Sequence, residues 1–385
     1  MDRVGETVMF RCRLPLVILG LCTSALFAQD LENLQIHGFA TQGFLFTTND
    51  NYLTMKSSSG SLQWTEGALN VTAPLSERLR VGMQLHMYQM GELGGPNDLV
   101  DWALGDYKIS DQLGFRGGKV KVPMELFNDS QDVDPLYVCT LLPQGCYPDD
   151  NRDFDLALLG GEVYGELDLG HKGSVGYRGY LGENRLDENG GYMLQLATYG
   201  FTFPTPPSGR IFGGDLRWKT PWHPLTVGSS LQYQRLDGEG PQGNVHLPPA
   251  FLQIYYSQWT KGRLEISGEY WRAQMTPMLL TQGLTMQISY DQRSWYPMLS
   301  YQLTKKLQVG TYYSHYVNQA ADTSDPQNYS KDWVVSGRYN FNSNFYGKIE
   351  GHFLHGTGLG YYPQQNPDGL KPDSRMLAAR IGFAF

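Results

Sequence analysis

From Leu79 to Tyr88 the chain alternates without a break. Leu79, Val81, Met83, Leu85 and Met87 fall on one parity, and Arg80, Gly82, Gln84, His86 and Tyr88 on the other. Period-two hydropathy marks a strand with one apolar and one polar face. The pattern returns over residues 175–181, 264–270, 333–341 and 349–353, and it runs to the last residue, where Leu377, Ala379, Ile381, Phe383 and Phe385 share one parity. A bundle of membrane helices is excluded. Each such helix needs about 20 consecutive apolar residues, and the one candidate run, residues 14–27, lies at the N-terminus.

Composition narrows the choice further. Of 385 residues only 18% are charged while 13% are aromatic, which is too few charges for a typical soluble domain and too many aromatics for disorder. Short polar turns at 74–78, 111–112, 170–173, 260–262, 304–306 and 342–344 alternate with long irregular connections at 48–60, 124–153, 183–208, 237–249, 274–293, 318–330 and 357–373. Short periplasmic turns and long extracellular loops are the asymmetry of an outer-membrane barrel. The predicted fold is therefore all-β, a transmembrane antiparallel β-barrel of about sixteen strands, an even number that returns the chain to the side where it entered. Two strands change parity at Gly117-Gly118 and Gly160-Gly161, which predicts a bulge at each pair. The first would aim Arg116, Lys119 and Lys121 together into the lumen.

The N-terminus reads as an export signal. Arg3, Arg11 and Arg13 precede the apolar run, and small residues follow, giving a predicted signal peptide over 1–28 with cleavage after Ala28 and the barrel over 29–385. Leu21 before Cys22 does not suit lipoprotein processing. Loss of three arginines against Asp2 and Glu6 moves the formal charge from −8 to −9, so no basic face for nucleic acid is implied. Only Cys139 and Cys146 remain in the mature chain. A pair in an exported protein points to a disulfide, worth about 2.5 kcal/mol for so small a ring. Zinc is disfavoured by the spacing and the absence of a nearby His, and two free thiols are the intermediate reading.

The segment 124–153 has no strand pattern, and loops of about this length inside a compact protein usually carry function. It is the candidate for a loop that folds inward and narrows the channel. Inward parity places Arg116, Lys119, Lys121, Arg178, Arg217, Arg338, Lys348 and Arg380 as pore-lining or constriction candidates, with anion preference as the consequence of a basic ring. Paired wall charges that merely keep the lumen wet are the equally weighted alternative. The excess acid falls in loops, at Glu125, Asp129, Asp132, Asp134, Asp149, Asp150 and Asp153. Trp64, Trp102, Trp218, Trp222, Trp259, Trp295 and Trp333 are expected in interfacial girdles, while inward Tyr88, Tyr180, Tyr312, Tyr316 and Trp271 leave open an aromatic track for sugars. No nucleophile elbow, phosphate loop or metal-ligand spacing is present, so neither an enzyme nor a cofactor is expected.

The stretch Phe115-Arg-Gly-Gly-Lys-Val-Lys-Val-Pro-Met-Glu-Leu-Phe-Asn-Asp129, continuing through Gln131-Asp-Val-Asp-Pro135 to Leu141-Leu-Pro-Gln144, resembles the strand and loop of the phosphate-selective porin (porin O and P-like) family. Residues 295–314 and 331–353 resemble later strands of such porins. The resemblance implies a sixteen-stranded, trimeric diffusion channel for small hydrophilic solutes in the outer membrane of a Gram-negative-type bacterium, without fixing phosphate as the solute. The terminal strand ending on Phe385 resembles the signal that such barrels present to their assembly machinery. A barrel with a plugged lumen acting in binding, and an oligosaccharide-facilitating porin, are the alternatives.

Overall fold

A computed structural model describes residues 33–385 except 96–98, 155, 223 and 282–283. The proposed signal peptide and its cleavage after Ala28 lie outside the described residues. Sixteen long strands form one antiparallel sheet: β1 (Gln35–Thr47), β2 (Ser61–Pro74), β3 (Leu79–Met90), β4 (Val100–Ser110), β5 (Leu113–Lys121), β6 (Ala157–Asp168), β7 (Ser174–Arg185), β8 (Ser208–Lys219), β9 (Leu225–Gly240), β10 (Gly243–Lys261), β11 (Leu264–Met275), β12 (Tyr290–Gln302), β13 (Leu307–Asn318), β14 (Tyr329–Asn340), β15 (Phe345–His355) and β16 (Asp373–Ala384). Each pairs with the next, and β16 pairs back with β1 from Ala384 opposite Phe39 to Met376 opposite Thr47. Closure leaves no free edge.

The outer wall carries the apolar parity. Leu159, Leu181, Val335 and Ile381 are 67%, 70%, 61% and 55% exposed, a surface that is stable only against lipid. Polar parity and the buried apolar clusters lie inside. Phe385 completes the seam: its N–H donates to the Gly38 carbonyl at 3.0 Å and its carbonyl accepts from the Gly38 N–H at 3.1 Å.

Several expectations are corrected. The segment 237–249 is not a long loop. It extends the β9–β10 hairpin, with Gly240 opposite Gly243, and a register shift opposite Pro248-Pro249 absorbs two residues that cannot donate to the ladder. Leu236 and Leu247 bury themselves there, which offsets the awkward prolines. Part of 274–293 likewise forms a short hairpin, Met278–Thr281 against Leu284–Gln287, that pairs with the tip of β10. No bulge forms at the glycine pairs. Gly117 faces Gly161 and Gly118 faces Gly160 in continuous register, and the irregularity is taken up by Gly118 at φ +131°, where an added Cβ would lie 2.3 Å from the Ala103 carbonyl. The register shift near the loops falls instead between β3 and β4, where Asp101 is the extra residue.

The tryptophans divide. Trp218, Trp222, Trp295 and Trp333 are exposed on the outside, and Trp295, Tyr313 and Trp333 pack together there. Trp64 is not a girdle residue. It is 1% exposed inside the barrel, because Gly43 opposite it leaves room for the indole; a Cβ on Gly43 would sit 2.5 Å from that ring. Trp102 also turns inward, donating to Gln84 Oε1 at 3.3 Å.

Candidate pore and its inward loop

The strands set up two unlike inner walls. Across β3 to β8 the register aligns Arg80 with Asp106, Asp106 with Arg116, and Arg116 with Glu162, then Arg178 with Asp215. Signs alternate along this row, so neighbours pair: Arg80 to Asp106 at 2.8 Å, Arg116 to Asp106 at 3.3 Å and to Glu162 at 3.2 Å, and Arg178 to Glu162 at 2.5 Å. Across β14 to β16 the row is Arg338, Lys348 and Arg380, three adjacent cations with no acid between them. Like charges side by side repel, so this second row requires counter-charge from elsewhere in the molecule.

The connection between β5 and β6 supplies it. The candidate loop 124–153 lies inside the barrel. Asp134 accepts from Lys348 Nζ at 3.0 Å, from the Tyr346 hydroxyl at 2.6 Å and from Arg380. Lys348 also donates to the carbonyls of Asp134 and Cys139 at 2.7 and 2.9 Å, and Arg338 donates to those of Pro135 and Tyr137. Beside this knot Glu350 accepts from the N–H groups of Thr140 and Leu141 at 2.9 and 3.2 Å and from the Thr140 hydroxyl at 2.8 Å. His352 bridges Glu350 and Asp332 at 2.8 and 2.7 Å. Burial works to raise the Asp134 carboxyl, but Arg380 and Lys348, with hydrogen bonds from Tyr346 and Lys348, outweigh it and hold the group at about 2.

The rest of the loop is tied to the other strands. Lys121 pairs with Asp132 and with Asp101 at 3.4 Å. Arg178 pairs with Asp129, and Arg217 donates to the Glu125 carbonyl at 2.8 Å. Glu269 on β11 accepts from the Tyr296 hydroxyl at 2.5 Å, from Tyr147 and from the Leu126 N–H at 3.2 Å. Phe127, Leu142 and Tyr147 then bury against Tyr296, Met298, Tyr312 and Val334 of the wall.

Of the candidates named from the sequence, Arg116, Lys121, Arg178, Arg217, Arg338, Lys348 and Arg380 therefore face the interior. Lys119 does not: it is laddered to Leu159, 67% exposed on the outer wall, and its ammonium donates to the Val100 carbonyl at 2.7 Å. The glycine pair keeps register, so no parity change occurs to turn it in. Cys139 and Cys146 are buried, unbonded thiols, and the predicted disulfide is corrected. Both thiols are buried in one apolar cluster, Cys139 beside Glu350 and Cys146 beside Glu269, and burial first, then these carboxylates, pushes both up, away from the reactive thiolate. Strand parity puts Glu269 and Glu350 on the inner face but does not show that they hold the loop. Asp134 belongs to the acidic run of 125–153, and its local pattern does not show that it enters the lumen.

Among the described residues no group of three or more His, Cys, Asp or Glu is placed to hold a metal ion. A closed sixteen-stranded antiparallel barrel with an apolar outer wall and a loop folded into a charged interior has the fold of the bacterial outer-membrane porins. Solved structures bear this out. The chain is similar to an anion-selective porin from Comamonas acidovorans (TM-score 0.58, 12% identity, covering 91% of this chain and 99% of that one). It is similar also to OmpF of Salmonella typhi, solved with daunomycin (0.58, 14%, 91% and 97%), and to the outer membrane channel DcaP of Acinetobacter baumannii (0.53, 7%, 91% and 97%). At such identities the likeness is one of fold. No protein-family model and no curated protein sequence matches the chain.

Proposed function

We propose that the chain is an outer-membrane porin, a passive diffusion channel for small hydrophilic solutes with a weak preference for anions. The supporting observation is a difference in solvent access between the two inner walls. The Lys348 and Arg380 side chains are 0% and 4% exposed under the loop, whereas those of Arg80, Arg116, Arg178 and Arg217 are 53%, 23%, 20% and 33% exposed. Water reaches the β3–β8 wall beside the loop. Against the wall carboxylates the guanidinium groups are the more open partners, Asp106, Glu162 and Asp215 being 7%, 0% and 3% exposed behind them, while the loop's Asp129, 49% exposed beside Arg178, weakens the excess of positive charge. A passing ion meets the cationic side first, and rings of charge set selectivity. The resemblance of residues 115–144 to phosphate-selective porins makes phosphate one solute to test. Residues 1–28 as export signal, Phe385 as assembly signal and a homotrimer belong to the same proposal.

The test is conductance of the folded protein in a planar bilayer, with reversal potentials in a KCl gradient. Discrete steps with an anion-side potential are expected, and Arg116→Gln combined with Arg178→Gln should move that potential toward cation preference. Folded protein that gives no steps would refute the channel and favour the second reading, a binding barrel plugged by its many loop anchors.

A further inference from the structure

Between the inward loop and the walls of β9 to β13, on the long-loop side of the barrel, lies a cavity of about 100 Å³, room for several water molecules at roughly 10–15 Å³ each. Two hydrogen-bond acceptors and two donors on its lining residues are buried and make no hydrogen bond: Gln234 Oε1 and Asn151 Oδ1, Trp271 Nε1 and Arg152 Nη2. Gln234 is 1% exposed, and its amide nitrogen is already committed to the Phe154 carbonyl at 3.2 Å, which fixes the oxygen as the free end. The Trp271 indole and the Tyr316 ring supply apolar surface on the same lining, with Tyr316 held by Gln292 at 3.0 Å.

We propose that this cavity, open on one side, receives the hydroxyl-bearing edge of an uncharged, polyhydroxylated solute. A buried polar atom without a partner costs about 1–3 kcal/mol, so an apolar occupant would leave the costs at Gln234 Oε1, Asn151 Oδ1 and Trp271 Nε1 in place, whereas Arg152 Nη2 already faces Asp101. Unmet donors and acceptors occur together, and a hydroxyl can serve either kind. A phosphate is mainly an acceptor and brings a net charge, and an ammonium only donates. The Arg152 cation is already opposed by Asp101 at 3.7 Å and lies 4.8 Å over the Tyr88 ring, so an anion would find its charge largely answered. Aromatic faces beside convergent polar groups complete the chemistry of a small-molecule pocket. The inference deepens the channel reading and rests on it for the solute's access to the lumen.

Isothermal titration calorimetry on the full barrel folded in detergent tests it, with D-glucose as probe and sodium phosphate as the charged comparison. Conductance of the same preparation is recorded in parallel. Saturable heat with glucose is expected, weaker by about tenfold, or about 1.4 kcal/mol, in Trp271→Phe, which keeps the ring and loses the N–H, and similarly in Gln234→Leu. Folding of each variant is checked by heat-modifiable gel mobility. No saturable glucose heat, tighter binding of phosphate than of glucose, or affinity unchanged in both folded variants would overturn the proposal. Glucose binding without conductance refutes the channel and leaves the pocket standing, whereas conductance without glucose binding refutes the pocket alone.

Discussion

Replacing Asp134 with Ala should release the centre of the inward loop. Its carboxylate is the shared counter-ion of Lys348 and Arg380, and it also accepts from Tyr346. Removing one member of a buried ion pair costs about 3–5 kcal/mol. Part of that is recovered, because Lys348 keeps the Asp134 and Cys139 carbonyls and Arg380 keeps Glu66 at 2.9 Å. The lowered carboxyl gives a second figure. Holding the carboxyl at about 2, against about 3.9 for a free Asp, corresponds to about 2.5 kcal/mol of docking stability. A carboxyl lowered by docking contributes fully above its undocked value, and that contribution fades as pH falls from about 4 through 2. The wild-type channel should therefore hold a steady current from neutral pH down to about 4 and become noisy or larger in conductance below that. Asp134→Ala should show the noisy state at neutral pH, with barrel folding unchanged. Single-channel recording between pH 7 and 3 reads both effects. A variant with wild-type conductance, noise and pH profile would refute the view that this carboxylate holds the loop in place.

Three further outcomes are expected. Both cysteines should resist a thiol reagent in the folded barrel and titrate as two free thiols after denaturation without reductant; a denatured, unreduced chain lacking free thiols would restore the disulfide. Deleting Phe385 removes both backbone bonds to Gly38 and the ring packed on Phe383. The heat-modifiable folded band should form more slowly or in lower yield, and unchanged folding kinetics would contradict a role at the seam. Gly43→Val drives a side chain into the Trp64 indole and should cost about 1–3 kcal/mol by overpacking, seen as a lower urea midpoint in lipid vesicles.

The wall was legible because its information is local. Alternation such as Leu79 to Tyr88 places each side chain on a face by parity alone, and the strand ends fall close to where turn residues interrupt it. Where parity and sterics compete the sequence misleads. Pro248-Pro249 suggests a loop, yet the hairpin continues because Leu236 and Leu247 gain burial and a bulge accommodates the missing donors. Lys119 and Lys121 stand two apart, so parity alone puts both on one face, but only Lys121, near the Asp101 bulge, reaches loop carboxylate Asp132.

By itself the sequence determined a lipid-facing barrel: period-two hydropathy around a closed wall, a low charge count held mostly to inner faces and loops, and a final strand of alternating apolar residues. Only the tertiary structure decided what fills that barrel. Arg338, Lys348 and Arg380 lie ten or more residues apart along the chain, and nothing local shows that cross-strand register stacks them into one cationic row. Nor does local pattern show that Asp134, more than two hundred residues before Lys348, must enter the lumen to neutralise them. Ladder register and buried charge pairing are long-range. They turned residues that looked like free pore charges into loop anchors, and left Arg80 and Arg116 of the β3–β8 wall, with the partly covered Arg178 and Arg217, to meet the water.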